Sequence, residues 1–395
     1  MKKLILAYSG GLDTSYCLKT LSQEGYEVHA VSVNTGGFSA QEIEQQEKNA
    51  YTMGASSYQS ISALQSFYDK IVKYLIFGNV LKNNTYPLSV SAERIVQAIE
   101  IIEYAKRIGA KYIAHGSTGA GNDQVRFDLI FQVLAPSIEI ITPIRDQQLS
   151  REEEIAYLKS QGIDLSWEKA QYSVNQGLWG TSVGGSETLT SDQTLPETAY
   201  PSPLIEKEPK KITLSFKHGE LVALDGQSGD PVALIQALQA IAKNYAIGRD
   251  IHVGDTIIGI KGRVGFEAAA PMIILKAHHL LEKHTQTKWQ QFQKEQLANF
   301  YGMQLHEGNY LDAVMRDIEA FLSSSQQTVT GDVYVTLYPY RFELEGISSP
   351  HDLMNASFGS YGEMNKAWSA NDAKGFITIT ANAHKIYGSV NQEKK

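Results

Sequence analysis

Ser9-Gly10-Gly11-Leu12-Asp13-Thr14-Ser15 packs two glycines, three hydroxyls and a carboxylate into seven residues. Two glycines let a backbone turn sharply and approach a ligand closely. Where such a turn opens a helix, the first free N–H groups and the dipole favour an anion. The hydroxyls add donors, so the chemistry this string suits is phosphate or pyrophosphate binding. It is not a Walker A loop, because no Gly-Lys-Ser/Thr follows. A second string, His115-Gly116-Ser117-Thr118-Gly119-Ala120-Gly121-Asn122-Asp123-Gln124-Val125-Arg126-Phe127, gathers hydroxyl, amide, carboxylate and guanidinium groups. That variety suits a zwitterionic amino acid, whose ammonium and carboxylates must both be paired.

Both strings sit where a parallel sheet would present them. Short β-rich runs alternate with helical patterns through the first third, the signature of a sheet wrapped by helices. Strands are expected at 4–8, 27–33, 111–115 and 139–142. Helices are expected at 13–24, 40–53, 91–109 with Gly109 as C-cap, 122–134 and 150–161, the last opened by a Ser150/Glu153 capping box. Residues 180–210, rich in Ser, Thr, Gly and Pro, read as a long loop. Beyond them the pattern is α+β: a hairpin 212–216/221–224 around His218-Gly219, helices at 231–242, 283–300 and 313–323, and a strand pair 333–337/341–344. The lysine-rich end, 392–395, reads as frayed. The expected fold class is α/β: a doubly wound parallel-sheet nucleotide-binding domain (1–165), an α+β catalytic and multimerisation domain (166–365) and a C-terminal oligomerisation arm (366–395).

The first loop resembles the pyrophosphate loop of the N-type ATP pyrophosphatases. Ala7–Ser15, Tyr86-Pro87-Leu88 through Arg94 and Ala114–Phe127 together resemble the argininosuccinate synthases, the Gly121–Phe127 string being highly specific to them. Weaker correspondence runs through Tyr172-Ser173, Trp179–Ser182 and Gly259–Arg263 to Asp372–Ile377, so the likeness covers nearly the whole chain. It implies a ligase that activates citrulline with ATP as citrullyl-AMP and lets aspartate displace AMP, giving argininosuccinate. The resemblance puts ATP on Ala7, Tyr8, Ser9, Gly10, Gly11, Leu12, Asp13, Thr14, Ser15, Val33 and Gly116. It puts aspartate on Thr118, Asn122 and Asp123, with Asp13 and Asp123 as catalytic carboxylates. Citrulline falls to Tyr86, Ser91, Asn122, Arg126, Ser173 and Ser182, and to the positions of Gly254 and Phe266. Magnesium on the phosphates and a homotetramer are further implications, with no protein-held metal.

Three positions depart from the family pattern. Ala120 stands where relatives carry Lys, Gly254 where they carry a Glu on citrulline, and Phe266 where they carry Tyr. Asp255 could stand in for the carboxylate; an N-acylated citrulline as substrate is the alternative, and a tRNA-modifying ATP pyrophosphatase is another.

The remaining composition narrows the class. The chain has 395 residues, 43% hydrophobic and 20% charged, which excludes disordered and collagen-like classes. A net charge of −8 argues against nucleic-acid binding, where neutralised phosphates supply most of the affinity. The single cysteine, Cys17, excludes a disulfide framework and a cysteine-pair mechanism, and fits a reducing compartment. Leu4–Ala7 breaks off at Tyr8-Ser9-Gly10, too short for a signal peptide, and no run approaches a membrane span, so a cytoplasmic protein is expected. His278, His279, Glu282 and His284 read as a helix flank rather than a metal site, Glu152–Glu154 as a solvated helix start, Tyr334, Tyr338, Tyr340 and Phe342 as core or interface, and Cys17 as buried.

Overall fold

The computed structural model describes residues 2–163, 172–355, 357, 361–363 and 367–391. The two expected domain boundaries, 165/166 and 365/366, and the chain end at 392–395 lie outside the described residues. Met1–Pro350 is one compact unit and His351–Lys395 a second.

Five strands open the first unit: β1 Lys2–Ala7, β2 Tyr26–Asn34, β3 Ser57–Ser62, β4 Tyr112–Ala114 and β5 Glu139–Ile141. They pair in parallel in the order β3-β2-β1-β4-β5. Leu4, Ile5 and Leu6 of β1 are wholly buried, as a central strand covered on both faces must be. The order reverses beside β1, so the ends of β1 and β4 diverge into a crevice, where doubly wound sheets bind ligands. The helices Leu12–Gln23, Ala40–Met53, Ser89–Ile108, Asp123–Leu134 and Arg151–Ser160 cover the sheet. The capping box at Ser150/Glu153 and the left-handed cap at Gly109 (φ 69°) both form.

The rest of the unit holds two antiparallel sheets. One orders β10-β9-β8-β13-β14, with β8 Lys210–Lys217, β9 Glu220–Leu224, β10 Gln227–Ser228, β13 Gly331–Tyr338 and β14 Arg341–Ser348. The other orders β11-β12-β7-β6, with β6 Ser173–Gly177, β7 Gly180–Gly184, β11 Arg249–Asp255 and β12 Lys261–Glu267. The hairpin turn at His218-Gly219 takes positive φ at both residues, as expected for its type.

Several expectations are corrected. Residues 57–62 and 64–78, which carry no clear sequence pattern, form β3 and a helical stretch ending at Gly78. Residues 180–184 are strand rather than loop, and the segment after them is fastened from β11 and β12. Arg263 donates to the carbonyls of Glu187, Thr190 and Gln193, while Arg249 reaches Glu197 and the Ser202 carbonyl. The helix expected at 283–300 is two helices, Ala269–Thr285 and Lys288–His306, because Thr287 and Gln290 form a new capping box between them. His278 and Glu282 do not flank that helix; both are wholly buried. His278 bonds Asn79 (2.6 Å) and Gln326 (2.9 Å), and burial pulls its pKa down to about 4. Glu282 pairs with Lys294 and accepts from Gln326 (2.9 Å). Glu154 is also not solvated: it shares the buried face of its helix with Leu158. Cys17 is buried as expected. Tyr334 and Tyr340 are largely exposed, while Val333, Val335 and Leu337 face the core.

Among the described residues no helix is long and apolar enough to cross a membrane. In the second unit, Ser369 and Asp372 form a capping box at the start of helix Ala370–Thr380, followed by helix Asn382–Asn391.

Candidate active site

A cavity of about 790 Å³ opens at the carboxyl ends of β1, β2 and β4. One wall is the first glycine loop. Gly10 takes φ +77°, and a Cβ there would come within 2.9 Å of Gln46 Cγ. Gln46 holds the loop by donating to the Ser9 carbonyl (3.2 Å) and is itself held by Tyr58. Ser9 and Thr14 hydroxyls lie 3.2 Å apart, and Thr14 donates to the Gly11 carbonyl. The helix that follows is capped by Gly11 with no side-chain hydrogen bond. Its first N–H groups are therefore left to a ligand, which is the arrangement an anion requires.

Gly116 packs against this loop: a Cβ would meet the Asp13 backbone and Cβ at 3.1 Å. The loop after β4 is fixed from behind. The Ser117 N–H donates to His115 Nδ1 (3.2 Å), so Nε2 carries the proton and donates to Asp128 (2.8 Å), which Arg145 also binds. Gln124 donates to the Gly119 and Gly121 carbonyls, tethering the turn that contains Ala120.

The far wall is a charge cluster. Asp123 accepts from Arg94 Nε (2.9 Å) and Arg126 Nη1 (2.8 Å), and two-fifths of its side chain faces the cavity. Burial opposes its ionisation, but the two guanidiniums outweigh burial and hold the carboxyl below the usual range. Arg126 also donates to the His306 carbonyl and to His306 Nδ1, both at 3.0 Å. Burial, aided by Arg126, drives His306 down to about 3, leaving the neutral ring free to accept. Glu93 accepts from Arg94 (2.9 Å) and Thr35 (2.8 Å), and burial pushes its carboxyl up to about 7.

Of the sequence-expected residues, Ala7, Tyr8, Ser9, Gly11, Leu12, Asp13, Thr14, Val33 and Gly116 line the cavity. So do Thr118, Asn122, Asp123, Arg126 and Ser173. Gly10 and Ser15 do not line it, and Ser15 is wholly buried. Tyr86, Ser91, Ser182, Gly254 and Phe266 do not line it. Tyr86 stacks on His252 (5.2 Å between centroids) and packs on Phe266 (5.5 Å), whose strand partner is Ser182. Ser91 donates to the Leu88 carbonyl. Gly254 lies against His252, where a Cβ would be 2.7 Å from Nε2; Asp255 turns away to Lys261 (2.6 Å). Asn122 reaches the turn between β11 and β12, accepting the Ile257 N–H (2.9 Å).

Sequence reasoning missed Thr35, Glu93, Arg94, Gln97, Arg151, Asn175 and Gln176, all of which line the cavity. Glu93, Gln97 and Ile101 follow at four-residue spacing on one face of the helix Ser89–Ile108. A carboxylate and an amide continuing an otherwise apolar stripe were the available signal.

Fold and cavity define a doubly wound α/β protein with a glycine loop and an uncapped helix start at its switch point and an ionic cluster facing them. A family model described as Arginosuccinate synthase N-terminal HUP domain matches residues 3–164, and one described as Arginosuccinate synthase C-terminal domain matches 172–387. The chain belongs to the argininosuccinate synthase family. It is 37% identical to the argininosuccinate synthase of Methanocaldococcus jannaschii over 363 residues, 91% of each chain. The Xanthomonas campestris pv. campestris enzyme of that name is 35% identical over 99% of each chain. That of Dictyoglomus turgidum is 36% identical over 98% of this chain and 97% of its own.

Proposed function

We propose that this protein joins citrulline and aspartate at the expense of ATP, forming argininosuccinate, AMP and pyrophosphate through citrullyl-AMP. The observation that carries this reading is one cavity holding both the uncapped helix start behind Ser9–Thr14 and the Arg94–Asp123–Arg126 cluster. The first offers amides and hydroxyls to a departing pyrophosphate. The second offers both charge signs to an amino acid. The ureido oxygen of citrulline attacks the α-phosphorus and pyrophosphate leaves; the aspartate amine then attacks the ureido carbon and AMP leaves. The protein's part is positioning and charge neutralisation. Arg151, at the cavity wall, is a cation for the phosphates in a site where Ala120 supplies none. Thr118, Asn122 and Asp123 are the aspartate contacts; Arg126 and Ser173 hold citrulline, with Tyr86, Ser91, Ser182, Gly254 and Phe266 in the layer adjoining it.

Magnesium fits this site as a substrate-borne ion, since Mg²⁺ bound to phosphates needs only one or two protein carboxylates. Asp13 lines the cavity beside the loop and would supply one, and the ion would neutralise phosphate charge. The names of the relatives give no support to an N-acylated citrulline or to tRNA modification. The test is pyrophosphate release from ATP with citrulline and aspartate added singly and together. Stoichiometric argininosuccinate with both amino acids is expected; release indifferent to the amino acids would overturn the reading.

Glu154 gives this site a pH dependence. Burial and the neighbouring Asp13 raise its carboxyl to about 7, and burial raises Asp13 too. Above pH 7 the pair gains negative charge next to the phosphate loop. Glu154→Gln is therefore expected to lower the KM for ATP at pH 8 about fivefold, on the order of 1 kcal/mol for one nearby charge at intermediate dielectric, and to leave it unchanged at pH 6. Steady-state kinetics at the two pH values checks this.

A homotetramer is the proposed assembly. Phe376, Ile377, Ile379, Ile386, Tyr387 and Val390 are all more than half exposed on the last two helices, an apolar surface that a second chain would cover. Light scattering of the full chain and of a chain ending at 368 tests it, the truncated chain being expected to dissociate. The buried lone Cys17 accords with a cytoplasmic location.

A further inference from the structure

We propose that Glu93 is the base that takes a proton from the incoming aspartate amine in the second half-reaction. The inference rests on the citrulline–aspartate reading above. Aspartate arrives as an ammonium ion, which has no lone pair for attack. One N–H proton must pass to a base. The nitrogen then bonds to the ureido carbon, the bond from that carbon to the AMP oxygen breaks, and AMP leaves with the electron pair. The second amine proton ends on the guanidinium product, AMP departs as its phosphate dianion, and protonated Glu93 returns its proton to water.

The geometry singles out Glu93. It lines the cavity although its residue is only 2% exposed. It flanks the Arg94 guanidinium on one side, with Asp123 on the other at 2.9 Å, so it lies one side chain from the carboxylate assigned to aspartate. Its orientation is built in. Gln97 donates to the Thr35 oxygen (3.3 Å), so the Thr35 hydroxyl hydrogen is turned to Glu93 Oε2 (2.8 Å). Gly177 of β6 leaves room for that oxygen: a Cβ there would lie 2.2 Å from it. Two partners leave a carboxylate with about two of its four acceptor positions open. The charged groups that face it are Arg94 on its own helix and Asp123 on the helix opposite, with Arg126 behind Asp123; the turn after β2 presents Thr35, and β6 presents Gly177. Asp123, held ionised by two arginines, is a poor competitor for the proton, whereas a carboxyl near 7 is matched to proton transfer at neutral pH.

Glu93→Gln keeps the shape and removes the base. It is expected to retain citrulline-dependent exchange of pyrophosphate into ATP within about twofold, while argininosuccinate formation falls about 10²-fold or more, the usual range for a lost general base. Wild-type turnover is expected to rise between pH 6 and 8 as Glu93 ionises, and that rise should be absent from the residual rate of the variant. Hydroxylamine, an amine uncharged at neutral pH, should consume citrullyl-AMP equally well in variant and wild type. An unchanged argininosuccinate rate and pH profile would overturn the proposal. So would equal loss of exchange and of the hydroxylamine reaction, which marks a structural role. Failure of the wild type to form argininosuccinate would instead sink the functional reading itself.

Discussion

Asp123→Asn is expected to lower the kcat/KM for aspartate about ten- to a hundredfold. Asp123 is the shared counter-ion of two arginines that are otherwise almost out of water. Asp123 opens two-fifths of its side chain to the cavity, where it meets the substrate ammonium, and a hydrogen bond to a charged group contributes about 1.5–3 kcal/mol. At about 1.4 kcal/mol per decade, that is roughly one to two decades in rate. Arg94 keeps Glu93, but Arg126 keeps only the neutral His306, so Arg126 should swing and the KM for citrulline should rise as well. Initial rates with each amino acid varied would check both effects. A variant with wild-type constants would remove Asp123 from the site.

The largest expected effect on stability lies far from the cavity, at Glu282 and Lys294. Both are at most 1% exposed, and Lys294 also donates to the Phe77 carbonyl (3.0 Å). Glu282→Gln strands an ammonium in the core and is expected to cost about 3–5 kcal/mol. At a few degrees per kcal/mol for a large domain, the Tm should fall on the order of 10 °C. Glu282→Leu combined with Lys294→Met removes both charges, and most of that loss should be recovered. Thermal melts of the single and double variants decide the matter. A double variant no better than the single one would mean that the polar contacts to Asn79, Gln286 and Gln326, and not the ion pair, hold this region.

The phosphate loop and the Asn122–Phe127 string were legible because their meaning is local. Glycine, hydroxyl and helix-start residues carry their geometry with them, and the strand before each string places it at a sheet end. The helices at 40–53 and 231–242 form where the sequence puts them for the same reason. What stayed hidden depends on distant partners. Ser57–Ser62 is a sheet-edge strand of Ser, Tyr, Gln and Ile with no wholly buried residue, so it lacks an apolar signature. The break at Gln286-Thr287 is set by a cap within an otherwise helical pattern. Glu93 shows only its place on an apolar stripe, not its partners, and Glu154 looks like an ordinary charged helix residue. Only the surroundings, Thr35 and Arg94 for one and Asp13 for the other, show that each carboxyl is enclosed.

Gly37 and Gly177 let β6 settle against the turn after β2, where a Cβ on Gly37 would strike the Gln176 carbonyl at 2.2 Å. Leu178 seals the contact by donating its N–H to the Thr35 carbonyl (2.8 Å). As a result Ser173, Val174, Asn175 and Gln176 wall the same cavity as the loops of the parallel sheet, although they lie beyond residue 164, where the first family model ends. The division visible to sequence comparison is thus not a line along which the enzyme can be cut and recombined. A chimera that takes 1–164 from one relative and the remainder from another would join two half-sites shaped for other companions. A crossover placed after the β6–β7 hairpin would keep one ancestor's cavity whole.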